Sequence, residues 1–215
     1  MNELVVRQLD DVAKVGVEAQ LIANQFEKTF AIADVVQRLQ GLLTTQVLKP
    51  IMDLQGKKLG FKVDKPYPEN IVRDCLIEAT INGVYPVGNQ FNIIAGNFYI
   101  TKEGFAHKLK NISGLSYQLS CGIPKTQPAG AVVDVDIEYT FNGENKKKVL
   151  PLAIRVNSGM GSDAIIGKAT RKASAWLYNT ITGQNLQDGD TDDIINVTPK
   201  TSKLETETPA KDELL

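Results

Sequence analysis

The stretch AVVDVDIEYTFNGENKKKVLPLAIRV, residues 131–156, leaves this chain the least freedom. Val133, Val135, Ile137, Tyr139 and Phe141 alternate with Asp134, Asp136, Glu138 and Thr140. Side chains leave a strand on alternate faces, so this pattern makes one face apolar and the other polar. A helix would scatter the same residues around its surface. Asn142-Gly143 then supplies the two positive φ angles that a tight hairpin turn needs, and the chain returns through Lys146–Lys148 to Val149–Val156. Pro151 has no N–H to donate, which predicts an edge or a bulge in the return strand. Leu115–Cys121 reads as a third antiparallel strand. A sheet with one apolar face needs helices to cover it.

Helical spacing supplies them. Leu4, Val5, Leu9, Val12 and Val15, then Leu21, Ile22 and Phe26, recur at three-to-four intervals from residue 3 onward. A second pattern covers Ala33 to Leu43, and Thr44 or Thr45 opens a short helix toward Leu54 with Pro50 in its first turns. KKLGFKVDK, residues 57–65, is polar and basic, and Pro66 and Pro68 mark a loop. A helix over Glu69–Asn82 follows, with Pro68 suited to its start and Gly83 to its end. Phe91 and Ile93, then Phe98 and Ile100, predict two short strands around Ala95-Gly96-Asn97. Thr101 caps a helix to Asn111. The last helix begins after Gly159-Met160-Gly161, with Ser162 as its cap, and ends at Gly183. Its apolar side is Ile165, Ile166, Ala169, Ala173, Trp176 and Leu177.

The expected fold class is therefore α+β. About three main antiparallel strands and a short hairpin pack with helices, behind a long helical N-terminal part. That part, residues 1–55, is expected to make oligomer contacts or to pack on its own core. Residues 56–186 form the α+β core, and 187–215 form an acidic tail expected to be disordered. No apolar run approaches the roughly 20 residues of a membrane span. The N-terminus lacks the basic start and cleavage site of a secretory signal, and KDELL ends one residue too late for retention in the endoplasmic reticulum. A soluble cytoplasmic protein is the expectation.

Function classes narrow by elimination. The chain has one histidine, His107, which removes most triad and zinc schemes, and Cys75 and Cys121 stand in no metal or redox spacing. No metal and no cofactor is expected. Net charge is −1, but residues 187–215 hold eight acids and three lysines, leaving the rest of the chain at +4. A mildly basic body points toward polyanions.

Three constellations could carry chemistry. Asp134, Asp136 and Glu138 share one strand face, the arrangement a Mg²⁺-dependent nuclease could use, but the solvent side of an amphipathic strand explains them fully and is the favoured reading. Lys146–Lys148 could pair with them across the hairpin. Gly159 and Gly161, between a strand and a helix, could offer backbone N–H groups to phosphate. They fail as a nucleotide-triphosphate loop, because five residues rather than four separate Gly161 from Gly167-Lys168, and Ala169 replaces the Mg²⁺-binding hydroxyl. Third, Lys168, Arg171 and Lys172 share one helix face at i, i+3 and i+4. With Lys57, Lys58, Lys62, Lys102 and Lys108 they could line a cationic groove, and Tyr85, Phe91, Phe98 or Tyr99 could stack bases.

Two blocks, CLIEATINGVYPVGNQFNIIAGNFYITKEGF and IIGKATRKASAWLYNTITG, resemble the RecT/Red-beta superfamily of phage single-strand annealing proteins. The likeness runs from about Asn70 to Ile181. In the first block a helix ends in a glycine-led segment with a proline, followed by a strand, a turn and a helix start. In the second, Lys168 and Lys172 match basic positions of the family's late helix. Lysine at 172 stands where arginine is common, and Arg171 adds a neighbouring charge. The resemblance implies no enzyme but ATP-independent binding of single-stranded DNA and its annealing into duplex, by a helical or ring-like homo-oligomer in the bacterial host cell. Residues 187–215 are far shorter than the family's folded C-terminal module. A phage exonuclease or host single-strand-binding protein is the further partner the resemblance implies, recruited by a route other than that module.

Overall fold

A computed structural model of the chain describes residues 3–128, 130–184 and 186; the acidic segment 187–215 lies outside them. The described residues form an α+β fold of six helices and seven strands. Three helices come first: α1 (Glu3–Ala19), α2 (Gln25–Leu42) and α3 (Thr45–Met52). The apolar spacing that ran on through Leu21 and Phe26 is interrupted by a cap. Asn24 Oδ1 accepts from the N–H groups of Phe26 and Glu27 at 3.0 and 3.2 Å, ending one helix pattern and opening the next. Phe26 and Phe30 are thereby left 79% and 73% exposed instead of joining the core.

The N-terminal helices share their core with the rest of the chain. Val12, Val35, Leu39, Leu43 and Leu48 are buried in one cluster with Val72, Leu76 and Ile77 of α4 (Glu69–Ile81), and that cluster continues to Val135 and Leu177.

Two sheets flank this centre. In the first, β1 (Lys62–Val63) runs parallel to β2 (Phe91–Ile94), and β2 pairs antiparallel with β3 (Asn97–Ile100). The turn residues are Ala95 and Gly96, with φ of 51° and 79°. The Asp64 carboxylate accepts from Ala95 N–H at 3.3 Å and from the Tyr67 hydroxyl at 2.6 Å, and that hydroxyl accepts from Gly96 N–H at 2.9 Å. The Tyr67 bond holds the Asp64 carboxyl below its ordinary range. Paired residues share a face, so Lys62, Asn92 and Tyr99 stand in one row.

The second sheet holds β4 (Leu115–Cys121), β5 (Lys125–Gln127), β6 (Gly130–Phe141) and β7 (Glu144–Ile154). The β6–β7 hairpin turns at Asn142 and Gly143, with φ of 50° and 84°. Pro151 sits opposite Asp134 on β7, an edge strand. Ala131, Val133, Val135 and Ile137 are buried on the inner face. That face meets α6 (Ser162–Thr182), where Ile165, Ala169, Ala173 and Leu177 are buried in turn. Gly161, not Ser162, is the N-cap of α6. No described helix is long and apolar enough to cross a membrane.

Candidate functional site

A cleft of about 330 Å³ opens between the first sheet, the start of α5 (Lys102–Lys110) and the first half of α6. Each wall follows from local rules. Lys62 and Asn92 come from the polar row of the sheet, opposite the apolar row of Phe91, Ile93, Phe98 and Ile100. On α6, Ala164, Gly167, Lys168 and Arg171 recur at i, i+3, i+4 and i+7, one continuous stripe. The buried side of the same helix faces the second sheet, so this stripe turns outward into the cleft.

The third wall is the N-terminus of α5. Thr101 caps it, its Oγ1 accepting from Gly104 N–H at 3.1 Å and donating to Asn89 O at 2.6 Å. A Cβ on Gly104 would lie 2.1 Å from the Gln90 carbonyl oxygen, so only glycine lets the helix start this close to the strand. That contact sets Lys102 on the rim. Asn89 adopts the left-handed conformation, with φ of 55°, held by its N–H to Gly60 O at 2.8 Å.

Four cations therefore converge from three elements: Lys62, Lys102, Lys168 and Arg171. One carboxylate, Glu103, lines the same cleft, 3.8 Å from Lys102 Nζ. Lys168 Nζ also donates to Arg155 O at 3.3 Å. Arg171 has its Nε and Nη2 out of solvent. Asn89 and Asn92 both bury Oδ1 here with no hydrogen-bond partner among the described residues. The chemistry on offer is a cluster of cations for an anion, with two side-chain amides beside it.

Other residues singled out in the sequence lie elsewhere. Lys172 is on α6 but outside the cleft lining, and Lys57 and Lys58 are exposed on the turn before β1. Lys108 differs most from expectation. It is buried, its ammonium donating to the Asn82 carbonyl at the C-terminus of α4 and lying 4.5 Å from the Tyr178 ring centroid. Burial pushes its pKa down to about 8. Gly159 makes a turn with φ of 84°, and Gly161 caps α6; neither lines the cleft.

Of the four aromatics, only Tyr99 lines the cleft. Phe91 is fully buried and stacks on Phe61 at 4.9 Å, which closes it to a base, and the half-buried Phe98 packs on Phe91 at 5.6 Å on the row facing away from the cleft. Tyr85 meets His107 edge-on at 5.9 Å. Asn89, Asn92 and Gly167 were missed. Asn92 was legible as the polar position between Phe91 and Ile93; nothing in the sequence marked Asn89.

The carboxylates of the nuclease reading stand on the outer face of β6. Lys125 Nζ bonds Asp134 at 2.6 Å, and Lys147 Nζ bonds Glu138 at 2.5 Å. These are the cross-strand pairs of a solvated sheet face. No group of three His, Cys, Asp or Glu side chains suited to a metal ion occurs among the described residues.

Compared with protein-family models, curated proteins and solved structures, the chain matches none.

Proposed function

We propose that the chain binds single-stranded DNA through the Lys62–Lys102–Lys168–Arg171 cleft and anneals it to a complementary strand without ATP, acting as an oligomer. One observation carries the reading. The two sequence blocks that resemble single-strand annealing proteins supply facing walls of one cationic cleft, Asn89 to Lys102 from the first and Gly167 to Arg171 from the second. Lys and Arg side chains neutralise backbone phosphates without reading sequence. A strand held by its backbone displays most of its bases, and duplex formation at about 1.4 kcal/mol per stacked step drives annealing. One subunit covers only a few nucleotides, so annealing needs a row of them. The exposed Leu21, Phe26 and Phe30 at the α1–α2 turn are the surface we assign to subunit contacts. Action in the cytoplasm of a bacterial host belongs to the same reading, as does a phage exonuclease or host single-strand-binding protein as partner.

The test is annealing of complementary oligonucleotides without ATP, with binding measured across salt concentrations. Four phosphate contacts predict that log affinity falls with log salt at a slope of about −3. A slope near zero, or annealing unchanged in a Lys168→Ala/Arg171→Ala protein, would refute the reading.

A further inference from the structure

The cleft contains more than phosphate binding requires. A backbone track needs cations and N–H donors, because phosphate oxygens only accept. Asn89 and Asn92 add side-chain amides, each with its Oδ1 buried and without a partner among the described residues, while Asn89 Nδ2 donates to Glu103 Oε2 at 3.5 Å. A buried acceptor left unpaired is destabilising, and native proteins keep few of them. Both stand in the same cleft as the cations. Asn89 is held there in a left-handed backbone conformation by Gly60 and Thr101, and Asn92 stands in register between Lys62 and Tyr99.

The volume is also large for a phosphate alone. About 330 Å³ lies at the lower end of the range of small-molecule sites. Gly167 keeps the helix side of that space open, since a Cβ there would meet nothing within 4 Å.

We infer that the cleft takes one whole nucleotide of the bound strand, with phosphate on the cationic rim and base N–H groups donating to the Asn89 and Asn92 oxygens. This rests on the single-strand reading above and adds that one base per subunit is drawn in while its neighbours stay displayed. All four bases carry at least one N–H donor on the pairing edge, so a contact made to these two oxygens tolerates any sequence. Withdrawn bases cannot pair until the strand is released, which spaces the pairing register by subunit.

The experiment compares an ordinary mixed-sequence single strand with a strand of equal length built from abasic deoxyribose phosphates, which has the same charge and no bases. Fluorescence anisotropy at fixed salt should show the abasic strand binding about tenfold more weakly to the full chain. An Asn92→Leu protein, similar in size but without the acceptor, should lose most of that preference while keeping the wild-type salt slope. It should also melt at a higher temperature than wild type, because the orphan oxygen is gone. Asn89→Gly, which keeps the left-handed backbone, is the second variant and should likewise reduce the preference.

Equal binding of both strands by wild type would overturn the inference and leave the phosphate reading standing. A preference that survives in both variants would place the base contact elsewhere and overturn it too. If neither strand binds, the single-strand reading itself falls, and the inference with it.

Discussion

Lys108 offers the sharpest physical test, because sequence placed it in a groove and the structure buries it. Its pKa falls from 10.5 to about 8 through burial. The sign follows from proton counts. Between those values the unfolded chain holds a proton that the folded chain has released, so stability rises with pH across that window. Below pH 8 both states are protonated and the whole desolvation penalty is present. The difference corresponds to about 3 kcal/mol at about 1.4 kcal/mol per unit. The Asn82 carbonyl and the Tyr178 ring face favour the ammonium and work against the shift, so about 3 kcal/mol is the ceiling and about 1 kcal/mol the least expected. Tyr178 stays neutral throughout, since burial pushes it up to about 12.

The comparison protein is Lys108→Met, which keeps an unbranched side chain one atom shorter and has nothing to titrate. Urea unfolding of both proteins from pH 7 to 10.5 cancels the other lysines and tyrosines. Wild type should gain about 1–3 kcal/mol on the variant as pH rises through the window. Parallel stability curves would refute the burial argument. Strand affinity at neutral pH should not separate the two proteins; a large loss in Lys108→Met would return the residue to the DNA surface.

Gly167→Ala should raise stability by about 1 kcal/mol, as expected in a helix interior with room for the methyl. Gly167→Leu should fold as well but fill the cleft, weakening strand binding with no fall in melting temperature. Lys168→Ala should lower the magnitude of the salt slope by about 0.7, the contribution of one phosphate contact on a single strand. Gly104→Ala, which sets a methyl against the Gln90 carbonyl, should destabilise by about 1–3 kcal/mol in a thermal melt and weaken binding through Lys102.

The sequence made local structure legible and left convergence hidden. The β6–β7 hairpin, its Asn142-Gly143 turn and the Thr101 cap follow from rules acting over a few residues, and all stand where those rules put them. The α1–α2 break was available too, as Asn24 followed by Glu27 at the third helical position, but apolar spacing masked it. β1 was not available. It is two residues long, too short to show any alternation, and it exists because β2 accepts it in parallel. The fate of a lysine was equally out of reach. Lys102 and Lys108 belong to one short helix, and only the carbonyl end of α4 and the ring of Tyr178 send the second into the core.

The cleft is built from segments far apart in sequence that meet late. Lys62 and Arg171 are about a hundred residues apart in sequence, and the two walls touch only through tertiary packing. During synthesis the first sheet and α5 emerge well before α6, so for several seconds of elongation the chain has half a binding site. Closing so long a loop is among the slower steps in folding. A ribosome-bound chain that lacks α6 therefore has only one side of the cleft. On the proposed reading, strand capture waits for α6 to dock, and folding itself sets the clock.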